Sequence, residues 1–277
     1  MIVAPVLAIA LAMVGSGCGR LGFTAASDTG QDAKAVTDAE AMDGRQLLGH
    51  DEDGDGLPDF ADNCPHIANV MQANGDGDQA GDACDSFPTT QNTLQFYSLV
   101  ADQDSDPVFE FTGDQGAWAF FDDFWIANSA LNTNLHIKIP TGSSEIFIGY
   151  DVINTIGNAP SKELSVRAEL SSTSAYYYGH YDVGGGANAR VSNVFYDGVN
   201  YSVLMNASST GQPFATGPAS MSVRFDTNVK EIRTRFANST GSYDVASPAP
   251  QLTTMPHYHL DARGAEIKIF YFAIVGS

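Results

Sequence analysis

Between Asp51 and Asp85 the chain reads DEDGDGLPDFADNCPHIANVMQANGDGDQAGDACD, with carboxylates at every second position, glycines between them, and the whole pattern written twice. Counted from Asp51, carboxylates fall at position one (Asp51), three (Asp53), five (Asp55), nine (Asp59) and twelve (Asp62). Gly56 stands at six and the backbone carbonyl of Leu57 at seven. This is the oxygen-ligand spacing of a calcium loop. Calcium takes six to eight oxygens in loose geometry, and alternate residues on a tightly curled backbone point inward together. A glycine at six permits the sharp turn. Carboxylates this close repel one another strongly unless a cation lies between them.

The second half repeats the set as Asn74, Asp76, Asp78, the Ala80 carbonyl, Asp82 and Asp85. Position one is neutral here and Gln79 replaces glycine at six, so the second site is expected to bind more weakly. Neither loop is flanked by an amphipathic helical pattern, which argues against a helix-loop-helix hand. Cys64 and Cys84 bracket the interval between the acidic runs. Together with Asp62-Asn63-Cys64-Pro65, Asn69, Gln72 and Gly81-Asp82-Ala83-Cys84-Asp85, the stretch resembles the thrombospondin type 3 repeat. The resemblance implies aspartates wrapped around calcium ions with little regular secondary structure. It also implies a Cys64–Cys84 disulfide, which would stabilise by roughly 3 kcal/mol through restriction of the unfolded chain.

Residues 2–14 are almost wholly apolar and lead into Gly15-Ser16-Gly17-Cys18. Thirteen apolar residues suit a signal-peptide core better than a bilayer span. Small residues before a lone cysteine resemble the cleavage box of bacterial lipoproteins, although Gly15 stands where that class prefers leucine. The resemblance implies removal of residues 1–17 and lipidation of Cys18. One lipid attachment plus one disulfide would use all three cysteines. The chain is therefore expected to be exported, in agreement with an oxidised pair, and anchored at the outer membrane or cell surface. Residues 18–50, rich in Ala, Gly, Asp, Thr and Ser, read as a flexible tether.

Residues 1–88 hold fifteen acids against three bases, so −12 of the net charge of −20 lies in this front part. Such a balance argues against nucleic acid or an anionic membrane surface as partner. Membrane contact is then expected through the lipid anchor alone.

After a calcium module expected over 51–88, residues 89–277 change texture. Short runs rich in β-formers alternate with Gly, Asn, Ser and Pro clusters, and period-two alternation is plain in LHIKIP and EIKIFYFAI. Thirteen candidate strands follow, among them a single strand over 117–125 and a well-buried terminal one over 265–275. The fold class expected is all-β, an antiparallel β-sandwich of jelly-roll type. The strand pattern and the closing C-terminal strand resemble concanavalin A-like (laminin G-like) sandwiches.

Glycosidases on such sandwiches carry Glu-x-Asp-x-x-Glu on one strand, and no such run occurs here. A polysaccharide lyase needs a cationic side chain for the uronate and a Tyr or His base; Arg167, Tyr178, His180, Tyr181, His257 and His259 are the candidates. In Tyr176-Tyr177-Tyr178-Gly179-His180-Tyr181, alternation places Tyr177, Gly179 and Tyr181 on one face and Tyr176, Tyr178 and His180 on the other. One face is core, and the other is either cross-strand packing or a sugar-stacking surface. His257 and His259 share a face, with no third metal ligand evident in the sequence. The reading is a calcium-binding, non-catalytic surface lipoprotein: anchor, calcium-stiffened stalk, and a sandwich that binds an extracellular glycan or surface protein. The alternative is an exported polysaccharide-acting enzyme on the same sandwich.

Overall fold

A computed structural model of the chain describes residues 49–98, 107–113, 117–121, 124–129, 133–138, 142–155, 162–170, 174–183, 189–208, 217–239, 241–253 and 257–276. The leader, Cys18 and the tether up to residue 48 lie outside them. Residues 43–277 form one compact unit. Among the described residues no helix is long and apolar enough to cross a membrane, and the one helical piece is a 3-10 turn over Asp59–Ala61.

Among the described residues, alternation of apolar and polar side chains builds fifteen strands that pair antiparallel. They are β1 (Thr93–Ser98), β2 (Phe109–Gly113), β3 (Trp118–Phe120), β4 (Trp125–Ser129), β5 (Thr133–Ile137), β6 (Ser144–Thr155), β7 (Lys162–Glu169) and β8 (Tyr176–Val183). After them come β9 (Ala189–Tyr196), β10 (Tyr201–Ser208), β11 (Gly217–Asp226), β12 (Glu231–Asn238), β13 (Gly241–Pro248), β14 (Tyr258–Arg263) and β15 (Ala265–Gly276). One sheet runs β13-β12-β11-β6-β15-β4-β3, with β1 added along β15; the other runs β10-β9-β8-β7-β14-β5-β2. Their inner faces enclose a single core in which Trp125, Tyr150, Phe225 and Phe272 of the first sheet meet Leu135, Leu164, Tyr177 and Tyr258 of the second. The expected two-layer antiparallel sandwich is the observed architecture.

Two strands differ from the sequence reading. The run 117–125 is a hairpin, with Trp118 opposite Ala127 and Phe120 opposite Trp125, closed by Phe121 N–H donating to Phe124 O at 3.0 Å. A continuous strand would have carried only one of the two tryptophans into the core, whereas the hairpin buries both. Strand β13 gave little apolar signal. It pairs along its whole length with β12 and with no other strand of the described residues. An edge strand needs only one apolar row, which Val245 supplies.

The acidic module does not stand off as a stalk; it lies against the outer face of the first sheet. Alternation in β6 turns Glu145, Phe147 and Gly149 outward. The Cys64–Cys84 disulfide, with Cα atoms 5.6 Å apart, is buried with Ala80 against Val275, flanked by Ile67, Leu94 and Phe147. His66 enters an aromatic cage, its ring 4.5 Å from Phe147, 5.7 Å from Tyr271 and 6.4 Å from Phe96. Gly149 makes the cage possible, because a Cβ there would lie 2.1 Å from the Tyr271 ring. Glu145, fully buried, accepts hydrogen bonds from Ser86 of the module, from Ser222 at 2.5 Å and from Arg235 at 3.0 Å.

Candidate functional sites

The two acidic loops are one hydrogen-bond frame used twice, twenty-three residues apart. Asp51 Oδ1 accepts Gly54 N–H, and Asn74 Oδ1 accepts Gly77 N–H. Asp55 accepts Leu57 N–H on one oxygen and Asn69 N–H on the other; Asp78 does the same with Ala80 and Asn92. Asp59 Oδ1 holds Glu52 N–H as Asp82 Oδ1 holds Gly75 N–H, and Asp62 holds Cys64 N–H as Asp85 holds Phe87 N–H. Asn92, beyond the expected limit at 88, therefore plays the part of Asn69, and β1 begins at the next residue. The glycine that both loops need is at position four, where Gly54 and Gly77 share φ +76°. Gln79 at six is thus tolerated, although Gly56 also uses positive φ.

Asp51, Asp53 and Asp55 bring carboxylate oxygens within 4.8 Å of one another, as do Asp76, Asp78 and Asp85. Asp53 Oδ2 and Asp76 Oδ2, at the same place in the two loops, are buried with no hydrogen-bond partner among the described residues. Burial first, then neighbouring carboxylates, raise Asp53 and Asp85 above the ordinary range. Glu52, absent from the expected ligand set, is pushed up to about 7 by burial, with Asp59 and Asp53 adding to the effect. The other expected ligands also take part in the frame. Asp59 accepts from His50 Nδ1 at 2.6 Å on its second oxygen, Asp62 accepts from Gln72 as well as Cys64, and Asn74 Nδ2 donates to Asp78 O. Oxygen-only donors, crowded negative charge and one orphaned buried oxygen per loop suit a hard divalent cation.

The outer face of the second sheet carries the other chemistry. Strand register lines up Tyr178, Arg167, His259 and His136 in one row, and His180, Ser165, Asp261 and Asn134 in the next. Tyr176, Tyr178 and His180 face outward, whereas Tyr177 and Tyr181 are core, and Tyr181 stacks on Phe236 at 3.9 Å. That burial removes Tyr181 from the chemical candidates. A cleft of about 340 Å³ opens on this face, lined by Tyr176, Tyr178 and Tyr201 on one side and by Glu163, Arg167 and Asp261 on the other. Arg167 grips Asp261 at 2.6 and 2.9 Å and lies 4.9 Å over the Tyr176 ring. Burial raises Asp261 to about 6, partly offset by Arg167. Burial also raises the phenols of Tyr176 and Tyr178, which keeps them protonated hydrogen-bond donors. The same cause lowers His180, which is almost fully buried. His257 and His259 do acquire a third neighbour: Glu169, at the end of β7. Sequence spacing could not reveal it, because β7 and β14 are nearly a hundred residues apart.

The architecture is that of lectin-like β-sandwiches. The chain is similar to winged bean acidic lectin complexed with methyl-alpha-D-galactose, at 8% identity over 68% of this chain and 99% of that one, with a TM-score of 0.50. It is equally similar to the CBM2 module of the evolved Dit of Lactobacillus casei BL23 phage J-1, at 8% identity over 68% and 97%, also with a TM-score of 0.50. At such identity the likeness is one of fold. Residues 49–72 match the thrombospondin type 3 repeat. No curated protein matches the chain in sequence.

Proposed function

We propose that the chain is an exported, calcium-binding, non-catalytic protein that binds glycan on the outer face of its second sheet and is held at the cell surface by a lipid on Cys18. The tyrosine-walled cleft carries the reading. Tyrosine rings offer flat apolar surface for a sugar face, and the charged side chains opposite offer planar donors and acceptors for hydroxyls. Calcium is assigned to the two carboxylate clusters: Asp51, Asp53 and Asp55 in the first loop, Asp76, Asp78 and Asp85 in the second. Its chemistry there is structural, neutralising carboxylates that otherwise repel. The raised phenols favour binding over lyase chemistry, since a tyrosinate base would require the opposite shift.

Glycan-array binding of the full chain in millimolar calcium tests this. Tyr176→Ala and Tyr201→Ala are each expected to weaken retention by about tenfold, roughly 1.4 kcal/mol, without moving the melting temperature. An empty array, or release of unsaturated product from a uronic acid polymer, sinks the proposal.

A further inference from the structure

We propose a second kind of metal site, built from His257, His259 and Glu169 on the outer face of the second sheet, that takes a borderline divalent cation of the zinc type. Strands β7 and β14 run antiparallel with Tyr258 opposite Ala168, which puts Glu169 across from His257. Both histidines point at its carboxylate: His259 Nε2 lies 3.0 Å from Oε1 and His257 Nε2 3.6 Å from Oε2. One donor atom from each of the three residues lies within 4.8 Å of the others. Zinc ligands at 2.0–2.2 Å in a tetrahedron are about 3.3–3.6 Å from one another, and the two histidine–carboxylate distances lie close to that range.

A carboxylate paired with two imidazoles by ordinary hydrogen bonds is the competing explanation, and His259 decides against it. Its side chain is 4% exposed. Despite the short distance to Glu169, neither ring nitrogen has a hydrogen-bond partner of proper direction among the described residues. A buried imidazole without partners is costly, and metal coordination satisfies Nε2, the nitrogen that lies beside Glu169. His136 packs edge-on against His259, ring centres 3.9 Å apart, while its own Nε2 lies 3.1 Å from Thr112 Oγ1; it holds the His259 ring in place. Imidazole donors select zinc-type ions over calcium, which sets this site apart from the all-oxygen loops. Glu169 and His257 are each more than a third exposed, leaving the remaining coordination position to water. The other histidine cluster of this face, Glu163 with His180 and Asp182, lacks the same promise, because both Asp182 oxygens are held by Arg190 at 2.7 and 2.9 Å.

Untagged full chain, kept in millimolar calcium to fill the acidic loops, is titrated calorimetrically with zinc chloride. One zinc per chain is expected. His257→Ala and Glu169→Gln each weaken it by about tenfold or more, and His180→Ala leaves it unchanged. Cobalt(II) in place of zinc gives visible absorption from a four-coordinate site, lost in His257→Ala. Both altered side chains are solvent-accessible, and an unchanged metal-free melting temperature shows that the variants fold. The proposal is overturned if no zinc binds, or if zinc uptake persists in the His257→Ala, Glu169→Gln double variant. No glycan enters the titration, so its outcome is independent of the carbohydrate reading.

Discussion

Asp53 and Asp76 occupy the same place in two loops, and each keeps one buried carboxylate oxygen without a partner among the described residues. A buried, unmet charge costs free energy unless a cation satisfies it. Asp53→Asn and Asp76→Asn are each expected to remove one calcium site in titration calorimetry. At tenfold excess of calcium over its dissociation constant, each also forfeits about 1.4 kcal/mol of ligand-dependent stability. If chelation leaves the melting temperature unmoved, the loops hold no metal. The aspartate spacing was plain in the sequence. The frame was not: Asp59 and Asp82, expected as ligands by position, also brace the backbone at Glu52 and Gly75. Asn193 makes the same point in the core. Its amide donates to Ile232 O, Val245 O and Ser247, and accepts from Thr234 Oγ1, pinning one sheet to the other. Nothing in the run ARVSNVFY marks that residue for the inside.

At the scale of elements, the docking of the acidic module turns on His66. Burial among Phe96, Phe147 and Tyr271 depresses its pKa to about 3 from the ordinary 6.5. The folded state therefore binds fewer protons than the unfolded chain between these values. Stability from this contact is complete above pH 6.5 and is lost progressively as pH falls toward 3. His66→Phe should flatten that part of the pH–melting profile, measured with calcium saturating; an unchanged slope would mean that His66 does not govern the acid response. Alternation in β6, β7, β14 and β15 was readable from the sequence, because one face of each strand is apolar. The break of 117–125 into a hairpin and the existence of β13 were not. Both depend on which partner strand is adjacent.

For the whole molecule, the module and the sandwich share a buried contact in which the disulfide, Ala80 and Val275 meet. Glu145 ties Ser86 to Arg235 across the same boundary. Calcium binding at the loops should therefore stabilise residues 43–277 as one unit. Chelation is expected to lower a single melting transition, and two separate transitions, only one of them calcium-sensitive, would show that the module is an independent stalk. Glu145→Gln weakens the coupling by about 1–3 kcal/mol, read as a smaller calcium-induced shift in the same melt.

By itself the sequence determined most of the strands, where the carboxylates crowd, and which tyrosines share a face. These are local properties, set by side-chain periodicity and charge density within a few residues. Only the tertiary structure decided that the acidic module lies on the first sheet, and that Arg167 meets Asp261. It alone brought Glu169 to two histidines. Those contacts join positions tens to hundreds of residues apart, and they exist because antiparallel registers and one shared core leave the chain no other way to bury its apolar faces.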